Sequence, residues 1–241
     1  MGHPLTPLWY PHGMPDASTL IAAASLICFD NDGTLFASHE VANPAIQRCF
    51  VSFCREHGLD LPPPTDEEIC RLTGKPGPEF YYEVLPEPLQ GESERFRELC
   101  LEEEVREVLA RGRLFDGIEP MLVALRAAGR RVVLVTNAGE RYLGAVHQRV
   151  GYHRLLDGVY HFGKDGHTTK GAMIRSAMRD HERRDAIMVG DRDSDLRGAR
   201  DAGVPFLGCL YGYGTREELA GADLLVPHVA GMVRALGLLT A

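Results

Sequence analysis

"SLICFDNDGTLF", residues 25–36, sets a continuous apolar run directly against two acids. Ser25 to Phe29 carries no alternating polar face, the pattern of a strand buried on both sides of a sheet. Asp30 and Asp32 follow at once, two positions apart, and Gly33 lets the chain turn sharply behind them. Two carboxylates at the exit of a buried strand need a partner chemistry, and the rest of the chain is searched for it.

Working outward, runs at 131–135, 186–189, 205–210 and 223–226 also read as strands. Helical patterns lie between them. In "GIEPMLVALRAAG" (117–129), Ile118, Met121, Leu122 and Leu125 follow the i, i+3, i+4, i+7 spacing, and Gly129 stops the pattern. "SDLRGARDAG" (194–203) begins on capping residues and ends on Gly203. Alternating strands and helices predict an α/β fold with a doubly wound parallel sheet. Residues 38–112 break this rhythm: helical stretches near 41–57 and 92–111 flank the Pro-rich "GLDLPPPTDEEI", with no strand between. The expected division is a loose leader over 1–19, an α/β core over 20–37 and 113–241, and an inserted helical unit over 38–112.

The chain has 241 residues, enough for a sizeable core without disulfides or a structural metal. A net charge of −8 argues against a general nucleic-acid grip, which favours basic faces. It leaves room for a small phosphorylated ligand, because a bound divalent cation inverts the local field. Six cysteines, none in a C-x-x-C pair, read as reduced thiols in a cytoplasmic protein. No run reaches the length of a membrane span, and Leu20 to Phe29 reads as linker and core strand rather than signal peptide. The opening "MGHPLT" fits an acylation pattern only loosely.

Polar residues cluster at the expected strand exits. Asp30-Asn31-Asp32 follows the first strand, Thr136-Asn137 the second, and Gly190-Asp191-Arg192-Asp193-Ser194-Asp195 the third; Lys170 opens the helix-like "KGAMIRSAMRD". Carboxyl ends of parallel strands are where such sheets bind ligands, so these segments converge by topology. Asp30, Asp191 and Asp195 form an oxygen-rich set suited to Mg²⁺. Lys170 offsets repulsion between an attacking carboxylate and an anionic phosphate, and Thr136 and Asn137 can donate to the same oxygens. Asp32 is placed to give a proton to a leaving oxygen and later take one from water.

Competing readings fail on residue identity. Asp191-x-Asp193-x-Asp195 is not a calcium loop, since Leu196 and Ala202 replace the required Gly and Glu. "GYGTREEL" has Glu217 where a dinucleotide fingerprint needs its third glycine. Lys164 rivals Lys170 but sits in a Gly-flanked loop. Arg192 reads as the structural partner of a nearby acid. Arg71, Thr73 and Lys75, in "RLTGKPGPEFYY", mark a loop able to face the site, with Lys75 or Arg71 a candidate contact for a substrate carboxylate or second phosphate.

Asp30-x-Asp32-Gly33-Thr34-Leu35, Thr136-Asn137, Lys170 and Gly190-Asp191-x-x-x-Asp195 together resemble the motif set of the haloacid dehalogenase-like (HAD) superfamily, over roughly 25–228. The insertion resembles its C1-type helical cap on a Rossmann-like core, and "MVGDRDSDLRGARDAGVPFLGCLYGYGTREEL" resembles the phosphoglycolate phosphatase-like branch. That resemblance implies Asp30 as nucleophile and Asp32 as general acid/base whose backbone carbonyl ligates metal. It implies Thr136 and Asn137 as phosphoryl binders, Lys170 as charge stabiliser, Asp191 as Mg²⁺ ligand, and Asp195 as its support or the partner of Lys170. Asn31 stands where relatives usually carry an apolar residue, Ala37 where they often carry an acid, and Gly171 where proline often follows the lysine.

The expected function is a Mg²⁺-dependent phosphatase acting on a small phosphorylated metabolite, phosphoglycolate-like or a nucleoside monophosphate, through an aspartyl-phosphate. No nucleic-acid or membrane partner is expected. A phosphomutase, a phosphonatase and an idle binding protein on the same scaffold are the alternatives. A dehalogenase would lack Asp32, because a halide leaving group needs no proton.

Overall fold

The computed structural model describes residues 16–238. Helix α1 (Ala17–Ala23) precedes strand β1 (Leu26–Phe29). Asp16 Oδ1 accepts from the Thr19 amide at 2.8 Å, capping that helix. The segment expected as loose leader and linker is therefore helical over 17–23; residues 1–15, with the "MGHPLT" pattern, lie outside the described residues. Four helices then follow without a strand: α2 (Ala42–Glu56), α3 (Asp66–Leu72), α4 (Gly77–Val84) and α5 (Ser93–Arg111). They form the helical cap inserted after the first strand. Two short helices, α3 and α4, fill what reads in sequence as a Pro-rich connection. Thr65 and Glu68 close a capping box on α3, and prolines bracket the start of α4.

The chain then returns through α6 (Ile118–Ala127) to β2 (Arg131–Thr136), followed by α7 (Glu140–Val150), the single turn α8 (Tyr152–Leu155) and β3 (Gly158–His161). Helix α9 (Lys170–Asp180) leads to β4 (Ala186–Gly190), α10 (Asp193–Ala202), β5 (Phe206–Cys209), β6 (Leu224–Val226) and α11 (Val229–Ala235). The six strands are all parallel, in the order β3-β2-β1-β4-β5-β6. The strand β3 adds to the five expected from sequence.

Alternate residues of the central strands feed two cores. Ile27, Phe29, Leu134, Ile187 and Val189 point to the face covered by α1, α6, α7 and α11. Cys28, Val133, Val135 and Met188 face Met173, Ile174 and Ala199 of α9 and α10. The strand order reverses between β1 and β4, and at such a switch point the loops at the carboxyl ends diverge and leave a crevice. Asp30 follows β1 and Asp191 follows β4, so the topology sets both acids at its mouth.

Candidate active site

Asp30 continues the ladder, its amide donating to the Val189 carbonyl at 2.9 Å, which sets it at the carboxyl end of the central strand. The Lys170 amine, from the first turn of α9, lies 2.8 Å from Asp30 Oδ1 and 2.5 Å from Asp195 Oδ1. All three side chains are buried. Burial works against the charge on Lys170, but Asp195 and Asp30 outweigh it and hold the amine above its ordinary value. Asp195 Oδ2 accepts from the amides of Asp191 and Arg192 at 3.1 and 3.0 Å, so its carboxylate shapes the loop after β4 as well as pairing with the lysine.

Asp191 is fully buried. Its Oδ1 accepts from Thr34 Oγ1 at 2.8 Å and its Oδ2 from the Tyr213 amide at 2.7 Å. Burial, with Asp30 and Asp195 close by, pushes its carboxyl well above the usual range. One oxygen from each of Asp30, Asp191 and Asp195 falls within 4.8 Å of the others. Three buried carboxyl groups share one ammonium there, and their hard oxygen donors suit a small divalent cation. The donor set thus fits Mg²⁺.

Gly33 has φ +80°, and a Cβ there would collide with the Asp191 carboxylate. Only glycine combines that backbone with so close an approach. On the other side of Asp191 the 211–214 loop presses its backbone against the same residue. This loop is the "GYG" stretch that carries no nucleotide fingerprint in sequence. Tyr213 Oη accepts from the His39 amide at 2.9 Å and bonds Ser38 Oγ at 2.8 Å, while Tyr211 Oη donates to the Thr34 carbonyl at 2.8 Å. Both tyrosines therefore brace the turn that carries Asp30 and Asp32.

Asp32 points into a cavity of about 170 Å³ shared by core and cap. Burial first, and then Asp30, pushes its carboxyl up to about 6; the Tyr142 hydroxyl, donating to Oδ1 at 2.9 Å, acts in the opposite direction. An acid poised near neutral pH can both give and take a proton. Asp30, Thr136 and Asn137 line the same cavity. Thr136 Oγ1 accepts from the Ala138 amide at 3.1 Å. The Asn137 amide group instead donates to the Gly74 carbonyl of the cap at 2.8 Å, so its side chain ties cap to core.

Arg192 does pair with an acid, Glu218, at 2.8 Å, and it also does more. Its guanidinium donates to the carbonyls of Cys70, Thr73 and Arg71 at 2.6, 2.6 and 2.8 Å, fastening the C-terminal end of α3 to the core. Lys75 lines the cavity but is paired with Glu79 at 3.0 Å and Glu83 at 2.5 Å. Lys164 donates to the Val159 carbonyl at 2.8 Å and is not part of the cluster. The structure thus brings Asp30, Asp32, Thr136, Lys170, Asp191 and Asp195 together. Thr34 stands in the first motif without an assigned role, and the bracing residues Tyr142, Tyr211 and Tyr213 were not singled out from sequence; the paired glycines around Tyr213 were the one available signal.

A family model of haloacid dehalogenase-like hydrolases matches residues 24–203, and the chain belongs to that family. That family is one of hydrolases, and proteins named phosphoglycolate phosphatase are among the relatives this chain resembles. A 5'-nucleotidase of Pseudomonas aeruginosa is 29% identical over 207 residues, spanning 80% of this chain and 86% of that one. An N-acetylmuramic acid 6-phosphate phosphatase of the same organism is 27% identical over 226 residues, spanning 87% and 93%. Among solved structures, a predicted phosphoglycolate phosphatase from Haemophilus somnus superposes with a TM-score of 0.72 at 19% identity, covering 88% of this chain and 97% of that one. At that identity the likeness speaks for the fold. Among the described residues no helix is long and apolar enough to cross a membrane.

Proposed function

We propose that this protein is a Mg²⁺-dependent phosphatase that hydrolyses a small phosphorylated metabolite, phosphoglycolate-like or a nucleoside monophosphate, through an aspartyl-phosphate on Asp30. The observation that carries the reading is the buried convergence of Asp30, Asp191, Asp195 and Lys170 beside Asp32. In this reading an Asp30 carboxylate oxygen attacks phosphorus, the ester oxygen leaves, and Asp32 supplies its proton. Asp32 then takes a proton from water, whose oxygen attacks the aspartyl-phosphate, releasing phosphate and restoring Asp30. Lys170 balances charge on Asp30 and the transferring oxygens, and Thr136 holds one of those oxygens. Mg²⁺ would be held by Asp30, Asp191 and the Asp32 carbonyl, with Asp195 behind them, and would neutralise phosphoryl charge. The cap closes the cavity and excludes bulk water. All six cysteines are free thiols, which supports a cytoplasmic setting.

The test is phosphate release from p-nitrophenyl phosphate. Release is expected with Mg²⁺, abolished by EDTA, and reduced by at least about 10³-fold in Asp30→Asn. Asp30→Asn retaining wild-type turnover would overturn the covalent route.

A further inference from the structure

The cap side of the cavity carries a group that the proposed chemistry does not use. Glu104, from α5, is 4% exposed yet lines the same cavity as Asp30 and Asp32. The Tyr81 hydroxyl donates to its Oε1 at 2.8 Å. The cations that line the cavity are matched elsewhere: Lys75 with Glu79 and Glu83, Arg97 with Glu94 and Glu98, Arg141 with Glu98 and Glu102. The lining also includes the apolar side chains of Ile46, Ile69, Phe80 and Leu101.

A carboxyl buried without a cation persists where it is protonated or where a ligand supplies donors. Burial pushes the Glu104 carboxyl up to about 8, which favours the neutral form. Neutral or ionised, it matches an O–H group, and with the lining cations already matched the cavity offers no free positive charge to a second anion among the described residues. Asp32 delivers its proton to the leaving oxygen, so the alcohol part of the substrate extends from Asp32 into the cap half of the cavity, where Glu104 waits.

We infer that Glu104 and Tyr81 form the subsite for the alcohol part of the substrate, and that this part carries uncharged hydroxyl groups. The substrate class is then a sugar or nucleoside monophosphate, not phosphoglycolate or a bisphosphate. The inference rests on the phosphatase reading above and narrows it.

The test compares kcat/KM for a hexose 6-phosphate, a nucleoside 5'-monophosphate, phosphoglycolate and p-nitrophenyl phosphate. At least one hydroxylated substrate should exceed phosphoglycolate by about tenfold or more, the worth of one satisfied buried hydrogen bond, and whichever of the two leads identifies the source. Glu104→Leu should lower the ratio of the hydroxylated substrate to p-nitrophenyl phosphate by about tenfold, while Glu104→Gln, which keeps a neutral hydrogen-bonding head, holds that ratio within about threefold. Tyr81→Phe, which removes one hydroxyl only, should lower it in the same direction should Glu104→Leu not fold. Phosphoglycolate as the best substrate, or ratios unmoved in both Glu104→Leu and Tyr81→Phe, overturns the inference while leaving the phosphatase reading intact. Absence of p-nitrophenyl phosphate turnover in the wild type overturns both.

Discussion

Asn31 is fully buried between the two acids. Its Oδ1 accepts from the Tyr152 hydroxyl at 2.7 Å, while its Nδ2 has no partner. The hydroxyl that α8 delivers thus gives this buried polar side chain a partner. Removing one partner strands the other, whereas removing both can be close to neutral. Tyr152→Phe is therefore expected to destabilise by about 1–3 kcal/mol, and Asn31→Leu combined with Tyr152→Phe to recover most of that loss. Urea unfolding of the wild type, both single variants and the double variant checks this; additive single losses would show that the two side chains act independently. Asp30, Asp32, Lys170 and Asp191 were legible as residues because their spacing relative to strand ends is local. Tyr142, Tyr152 and Tyr213 were not, because a hydroxyl arriving from more than a hundred residues away leaves no local pattern.

Elements were legible where a helix or strand is long or fully buried. Helix α6 announces itself by apolar spacing and α10 by its capping residues, while α5 and α9 read as helical stretches. Strand β3, "GVYH", is a four-residue edge strand with only Tyr160 buried, so it presents no apolar run. Helices α3 and α4 have seven and eight residues among prolines, and tertiary packing rather than sequence periodicity fixes them. Helix α7 shows its stripe of Tyr142, Leu143, Ala145 and Val146 only once it is set against α5. The join between cap and core is also an element-scale feature, since Arg192 holds three carbonyls at the C-terminal end of α3 in a planar fork. A lysine cannot reproduce that fork. Arg192→Ala should lower kcat/KM for p-nitrophenyl phosphate by about 10–100-fold by leaving that end of α3 unheld, and Arg192→Lys should recover only part. Limited proteolysis should cut Arg192→Ala first within 70–78; an unchanged cleavage pattern with unchanged kinetics would reduce Arg192 to the partner of Glu218.

At the scale of the whole molecule, the parallel sheet makes the site out of segments that the chain keeps far apart, and this convergence was readable because strand exits in such a sheet share one edge. What the sequence could not show is how much acid the fold buries there. Glu104 is one of many charged residues of α5, yet the cap turns it inward, where burial moves its carboxyl from 4.5 to about 8. Between those values the folded protein holds a proton that the unfolded chain has released. Folding then takes up a proton, so stability falls as pH rises through this window, by about 1.4 kcal/mol per pH unit from this group, and the loss is complete above the folded value. Glu104→Gln has no proton to lose and keeps the hydrogen-bonding shape. The variant should therefore gain stability relative to the wild type as pH is raised from about 5 to about 8, with the gap widening steadily across the range. Urea unfolding of both proteins at several pH values reads the gap directly, because every other titrating group contributes alike to the two curves. Parallel curves would mean that Glu104 is ionised throughout and draws its balance from the cations at the cavity rim.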